Sequence, residues 1–323
     1  MASPNVDEIT TTTLRNRSGK LADNVTKNNA LLLRLSKKGN LKTKSGGRTI
    51  VQELEYAENS TFQYYSGYDT LNIAVSDVFT AAEFDWKQAA VSVSISGLEQ
   101  LKNGGKEQVI DLLESRIKNA ERTMKNNIAN GIYSDGTGSG SKQIGGLQLL
   151  LADSPSSGTV GGINRATWSF WRNIVFDATT DGGVASSTTN MQSYMNRLWV
   201  QLVRGTDRPD LIVADNTYYR QYLESLQAIQ RIASDEMAQA GFQSLKYMDA
   251  DVVLDGGYGG NAPSQHMYFL NTDFIYFVTH KDRNFVPLNP DRFAVNQDAM
   301  VKLMAWAGNM TMSCAFLQGV LKE

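Results

Sequence analysis

Between residues 106 and 133 the apolar positions keep helical time. Val109, Leu113, Ile117, Ala120, Met124 and Ile128 follow one another at spacings of four, four, three, four and four, which lines them along one face of an α-helix. No proline interrupts the run, Gly131 falls only in its last turn, and Gly104-Gly105 and Asp135-Gly136 bound its two ends. The pattern predicts a single helix roughly 40 Å long. Its other face is polar, with Glu114–Lys118 and Glu121–Lys125 as favourable i,i+4 pairs.

Ahead of this helix the period changes to two. Residues 46–78 read as a long hairpin. One strand puts Ile50, Leu54 and Tyr56 on one face and Val51, Glu53 and Glu55 on the other. The return strand sets Leu71, Ile73 and Val75 against Asn72, Ala74 and Ser76. The tip between them carries Glu58, Phe62, Tyr64 and Tyr65 and has no core of its own to enter. A lone two-stranded ribbon is marginal in water, so the hairpin is expected either to lie on another subunit or to pack as an edge on its own domain. Two further strands follow. Phe84 and Trp86 alternate with charge, and Val91, Val93 and Ile95 alternate with Ser92, Ser94 and Ser96, so the apolar side is expected to face the long helix.

After a Gly/Ser loop (136–141) helix and strand signals alternate. Residues 163–176 and 190–205 read as helices, the second with Met191, Met195, Leu198 and Leu202 in line. DLIVAD is a short buried strand, capped into a helix over 216–231 by Asp215 or Asn216. DVVLD, MYFLN and FIYFVT are strands, and residues 299–321 close the chain as one or two long ones. From Lys20 to Lys38, Leu21, Val25, Leu32 and Leu35 predict a short helix that docks on something. The fold class is α+β.

The chain carries a formal charge of −2, unevenly spread: residues 1–48 hold ten basic and three acidic residues, a net +7. Arg15, Arg17, Lys20, Lys27, Arg34, Lys37 and Lys38 form a basic arm that would meet either phosphates, without reading sequence, or the acidic body of a neighbouring subunit. Cys314 is the only cysteine, so no disulfide forms within the chain. No apolar run approaches the length of a membrane span. With His266 and His280 as the only histidines, and no HExxH, CxxC or GxSxG, no catalytic or metal motif emerges. The GxGxxA match at 257–262 is followed by Pro263 and a strand rather than a helix, and reads as a turn. Asp249, Asp251 and Asp255 are the remaining cation candidates, with a solvated cluster as the plainer reading. No cofactor is expected.

The order of these parts, with the phrases RATWSFWRN, RPDLIVAD, YFLNTDFIYFVTHKDRNFVPL and NQDAMVKLMAWAGNMTMSCAFLQGVL, resembles the major capsid protein of tailed bacteriophages, the Hong Kong 97 fold. The resemblance implies an N-terminal arm (1–45), an extended loop (46–78) that overlaps a neighbour, a peripheral domain (79–145) with the spine helix at 106–133, an axial domain (146–300), and C-terminal strands (301–323) partly returning to the peripheral domain. It implies a shell of pentamers and hexamers around double-stranded DNA, in a virion assembled in a bacterial cytoplasm, with portal and scaffold or decoration proteins as partners and no membrane. Arg48, Glu53, Glu55, Glu58, Phe62, Tyr64 and Tyr65 would then lie between subunits. The polar spine face (Glu107, Asp111, Glu114, Lys118, Arg122) would look into the shell or onto a neighbour. Some members crosslink a loop lysine; Lys42 and Lys44 fit by position, but no acceptor suggests itself and no crosslink is expected. With about 45 residues ahead of the hairpin, the scaffold is expected to be a separate protein or absent. A cellular compartment shell of the same fold, enclosing protein, and a metal-dependent enzyme using the 249–255 aspartates are the alternatives.

Overall fold

The computed structural model describes residues 29–102, 106–226, 244–255, 261–293 and 299–323, excluding the side chains of 100–115, 244 and 289–299. The expectations for Arg15, Arg17, Lys20, Lys27, Leu21 and Val25, and for the turn at 257–260, lie outside the described residues.

The helical period holds: α3 runs Lys106–Ile132, and Ile117, Ala120, Met124, Ile128 and Ile132 are all buried. A short helix α2, Gly97–Lys102, precedes it, and at the N-terminal end α1 spans Ala30–Lys37, capped by the Asn29 side chain on the Leu32 amide. Further on come α4, Met191–Leu202, and α5, Asn216–Ser225, whose N-cap Asp215 accepts from the amides of Thr217 and Tyr218.

The strands form two principal sheets. The first has the order β1 (Leu41–Lys44), β12 (Ile275–Phe293), β13 (Ala299–Met312), β4 (Lys87–Ser96), with β1 parallel to β12 and the rest antiparallel. The second has six strands in the order β7 (Ile174–Asp177), β14 (Gly319–Lys322), β11 (His266–Leu270), β8 (Leu211–Ala214), β10 (Ala250–Leu254), β9 (Ser244–Tyr247). Its central strands read as unbroken apolar runs because both faces are covered. Leu211, Val213, Tyr268 and Val320 enter one core with α1, α3 and the first sheet; Ile212, Ala214, Phe269 and Leu321 enter the other, beneath α4 and α5. The chain returns to the first sheet at Ile275, stays there through β13, and ends in the second, where the last strand lies between β7 and β11.

Two predicted elements differ. The hairpin closes between β2 (Ile50–Glu55) and β3 (Phe79–Phe84), in register Ile50↔Phe84 to Glu55↔Phe79, so the return strand is not 71–76. Phe79–Phe84 wins that place because Ala82 and Phe84 share the buried face with Ile50 and Leu54. Residues 163–176 are not a helix. They fold as β6 (Ile163–Asn164, paired with β5, Thr159–Val160), one tight turn at Ser169–Trp171, and β7. The reason is Arg165, 1% exposed, whose guanidinium donates to the carbonyls of Leu149, Leu150 and Trp171 and holds the loop around itself. The indole of Trp171 donates to the Val160 carbonyl at 2.9 Å.

The junction between spine and second sheet is close-packed. A Cβ on Gly146 would overlap the carbonyls of Gly131 and Ile132, so only glycine lets the chain cross the end of α3 there. Beside it the Asn309 amide oxygen accepts from the Gly145 amide at 3.0 Å while its nitrogen donates to the Asp85 carbonyl at 2.8 Å.

Candidate assembly surfaces

The β2–β3 ribbon is anchored at its root. Ile50, Leu54, Ala82 and Phe84 are buried, Gln52 donates to the Thr311 hydroxyl at 2.8 Å, and the Glu83 amide donates to the Gly161 carbonyl at the tip of the β5–β6 turn. Tyr56 rests its ring on Trp168 and Phe170, with centroids 5.6 and 5.5 Å away. Beyond this root, residues 57–78 leave the body. The Val78 carbonyl accepts from the Tyr56 amide at the root, and the side-chain bonds stay within the loop: Asn59 accepts from Thr61, Asp69 from the Ser66 amide, Asn72 from the Ala74 amide, and Ser60 meets Ser76. The loop exposes Phe62 (76%), Tyr64 (93%), Tyr65 (66%), Ile73 (93%) and Val75 (93%). Arg48, Glu53, Glu55 and Glu58 are exposed as well. Apolar side chains this far out of a fold mark an interaction surface.

The basic segment behaves differently from its sequence expectation. Leu31, Leu32 and Leu35 bury one side of α1. On its other side Arg34 places Nη2 at 2.9 Å from Asp251 Oδ2 and 2.8 Å from the Asp210 carbonyl, with Nε 3.0 Å from Asp210 Oδ2 in an ion pair. Lys38 bridges Asp210 at 3.2 Å and Asp273 at 2.8 Å. Arg34 and Lys38 are therefore paired with aspartates of this same chain, Arg34 half-buried and Lys38 exposed. Lys37 is exposed on the same helix. Six of the basic residues (Arg34, Lys37, Lys38, Lys42, Lys44, Arg48) and no acidic one lie in 29–48, so the positive charge is concentrated on a docked helix and edge strand rather than on the preceding tail. Lys42 sits over the Tyr276 ring at 3.9 Å and Lys44 donates to the Val51 carbonyl at 3.1 Å.

On the spine, Lys118 and Arg122 are exposed; the side chains of Glu107, Asp111 and Glu114 fall outside the description. Arg116 holds Glu99 at 2.6 Å and donates to the Ser94 carbonyl of β4; its hydrogen bond, joined by the Ser96 amide, draws the Glu99 carboxyl below its ordinary value. At the far end Tyr133 donates to Asp255. Burial, opposed by that bond, raises the Asp255 carboxyl, and burial beside this carboxyl pushes the Tyr133 hydroxyl well up.

The three aspartates considered for a cation are dispersed among separate partners: Asp249 on Arg208 at 2.6 Å, Asp251 on Arg34, Asp255 on Tyr133. Among the described residues no group of three His, Cys, Asp or Glu is arranged to hold a metal ion, and no helix is long and apolar enough to cross a membrane. Reading the sequence missed Arg165 and Asn309, which shape the loop and junction. The one available signal for Arg165 was a cation set in an aromatic, glycine-bounded stretch; burial lowers it to about 10.

No family model matches the sequence, and no curated protein matches it. Solved structures do. A chain of the cyanophage A-1(L) capsid asymmetric unit superposes with a TM-score of 0.62 at 16% identity, covering 88% of this chain and 91% of that one. A chain from the capsid of an empty GTA particle gives 0.57 at 11% identity over 88% and 94%, and one from Mycobacterium phage Bobi gives 0.56 at 7% over 88% and 89%. The chain has the α+β fold of phage capsid proteins, the Hong Kong 97 type, over most of its length.

Proposed function

We propose that this chain is the major capsid protein of a tailed bacteriophage, a shell subunit that catalyses no reaction of its own. The observation that carries the reading is the loop at 57–78, which projects aromatic and aliphatic side chains into solvent from a fold shared with capsid subunits. In this reading pentamers and hexamers of the chain close an icosahedral head around double-stranded DNA. The head is assembled in the bacterial cytoplasm with a portal and with scaffold or decoration proteins. The ribbon and loop (46–78) overlap a neighbour, residues 79–145 form the peripheral and 146–300 the axial domain, and the strands of 301–323 partly return to the peripheral domain. Arg15, Arg17, Lys20 and Lys27 of the arm, with Lys37 on α1, supply non-specific phosphate contacts. Glu107, Asp111, Glu114, Lys118 and Arg122 face the shell interior or a neighbouring subunit.

Expression alone and with its scaffold, followed by electron microscopy of the lysate, tests this. Closed icosahedral particles are expected, and a subunit that stays monomeric under both conditions overturns the proposal. Particles that fill with protein and never with nucleic acid would instead identify a compartment shell.

A further inference from the structure

The segment Leu71–Asp77 carries a strict strand alternation, yet it joins no sheet among the described residues, and Leu71, Ile73 and Val75 are 50%, 93% and 93% exposed. Elsewhere on the molecule the complementary defect exists. β4 is an edge strand: its one neighbour among the described residues is β13, and its other side opens on a groove against the spine helix. Two cavities of about 470 and 630 Å³ that share Val91 and Thr123 make up this groove, with Val91 and Val93 on the strand side and Ala120, Met124 and Ile128 on the helix side. The backbone pointing into it belongs to the even-numbered residues. The Ser94 carbonyl is taken by Arg116 and the Ser96 amide by Glu99, while Gln88, Ala90 and Ser92 have no strand beside them.

We infer, resting on the shell reading above, that Leu71–Asp77 of a second copy of this chain adds to β4 as a fifth, antiparallel strand in that groove. One register satisfies every position. Leu71 opposite Val93, Ile73 opposite Val91 and Val75 opposite Ala89 put apolar on apolar, on the face of β4 that looks at the spine. Asn72 opposite Ser92, Ala74 opposite Ala90 and Ser76 opposite Gln88 lie on the exposed face. Asp77 then falls opposite Lys87, with Lys142 also lining that end of the groove, so the charges agree as well. A slip of one residue would turn all three aliphatic side chains outward and break the match. Within the subunit the segment does not occupy this groove, whose lining includes none of residues 57–78.

The test uses the full chain with Cys314→Ser and the pair Ala74→Cys and Ala90→Cys, two small exposed positions that the register brings to the Cα separation a disulfide requires. Oxidised particles should give a ladder of covalent multimers on non-reducing electrophoresis, and each single-cysteine variant should give none. In a second measurement the amides of Gln88, Ala90 and Ser92 should exchange about tenfold or more slowly in particles than in free subunits. Well-formed particles without the ladder, or with unchanged exchange at these amides, overturn the strand addition and leave the shell reading standing. Absence of particles overturns both.

Discussion

Two excursions leave the sheets near the start of the chain, and they end differently. The α1 segment is only eight residues long, too short to be helical by itself. It is held because Leu31 and Leu35 are fully buried and Arg34 and Lys38 reach Asp210, Asp251 and Asp273. The loop at 57–78 is longer and carries aromatic side chains that α1 lacks, yet Tyr64, Ile73 and Val75 each remain 93% exposed and its side-chain polar groups bond within it. Composition alone would have assigned these fates the other way round, with the basic segment seeking a partner and the aromatic one a core. What decides is complementarity on the same chain: Asp210, Asp251 and Asp273 meet α1, while Tyr64, Ile73 and Val75 of the loop are left exposed.

This contrast is open to direct attack. The largest expected effect is at Arg34. Arg34→Ala leaves Asp251, whose side chain is 4% exposed, with Lys246 at 3.9 Å as its remaining cation, and should cost about 3 to 5 kcal/mol by urea unfolding of the unassembled subunit. A loss under about 1 kcal/mol, the range of exposed pairs, would mean that α1 is no better anchored than the loop. A smaller effect of opposite sign is expected from replacing 58–76 by a short Gly/Ser turn. Because the loop contributes nothing to the core, the shorter closure should leave stability unchanged or raise it by about 1 kcal/mol, while particle formation is lost. A replacement that unfolds the subunit would show that the loop belongs to the body after all.

How far each region could be read from sequence follows the same division. The spine, α4 and the buried strands were legible because one periodicity and one burial face agree: Ile117 through Ile128, Met191 through Leu202, and the run Leu211–Ala214. Where two segments competed for one place, local pattern failed. Leu71–Val75 is as good a strand as Phe79–Phe84, and only the buried surface under Ala82 and Phe84 selects the latter. At 163–176 apolar spacing suggested a helix, but the carbonyls gathered by Arg165 are scattered in sequence and invisible to any window. The ion pairs of α1 join residues 176 and 217 positions apart, so charge counting found the basic segment without finding its partners.

The smallest effect separates body from loop by pH. His266, at the start of β11, has Nε2 at 3.1 Å from both Asp153 oxygens and Nδ1 at 2.7 Å from the Ser264 carbonyl, and its ring stacks on Tyr268. Burial opposes the charged ring, but the hydrogen bonds to Asp153 and Ser264 and the Asp153 charge outweigh burial and the repulsion of Lys322, and hold His266 above its ordinary value. The bond from His266 in turn holds Asp153 below its own. The imidazolium thus contributes stability that is fully present below the unfolded value of about 6.5 and is lost as pH rises through the higher folded one. The Asp153 contribution is present above the ordinary carboxylate range and lost only as pH falls through its depressed folded value. The urea midpoint should therefore decline as pH rises above about 6.5, with the same decline in the loop-replaced subunit, since none of these groups lies in the loop. His266→Gln should lower the midpoint at pH 6 and flatten the slope. A wild-type profile flat across this range, or a slope abolished by replacing the loop, would place the titrating contact outside the anchored body.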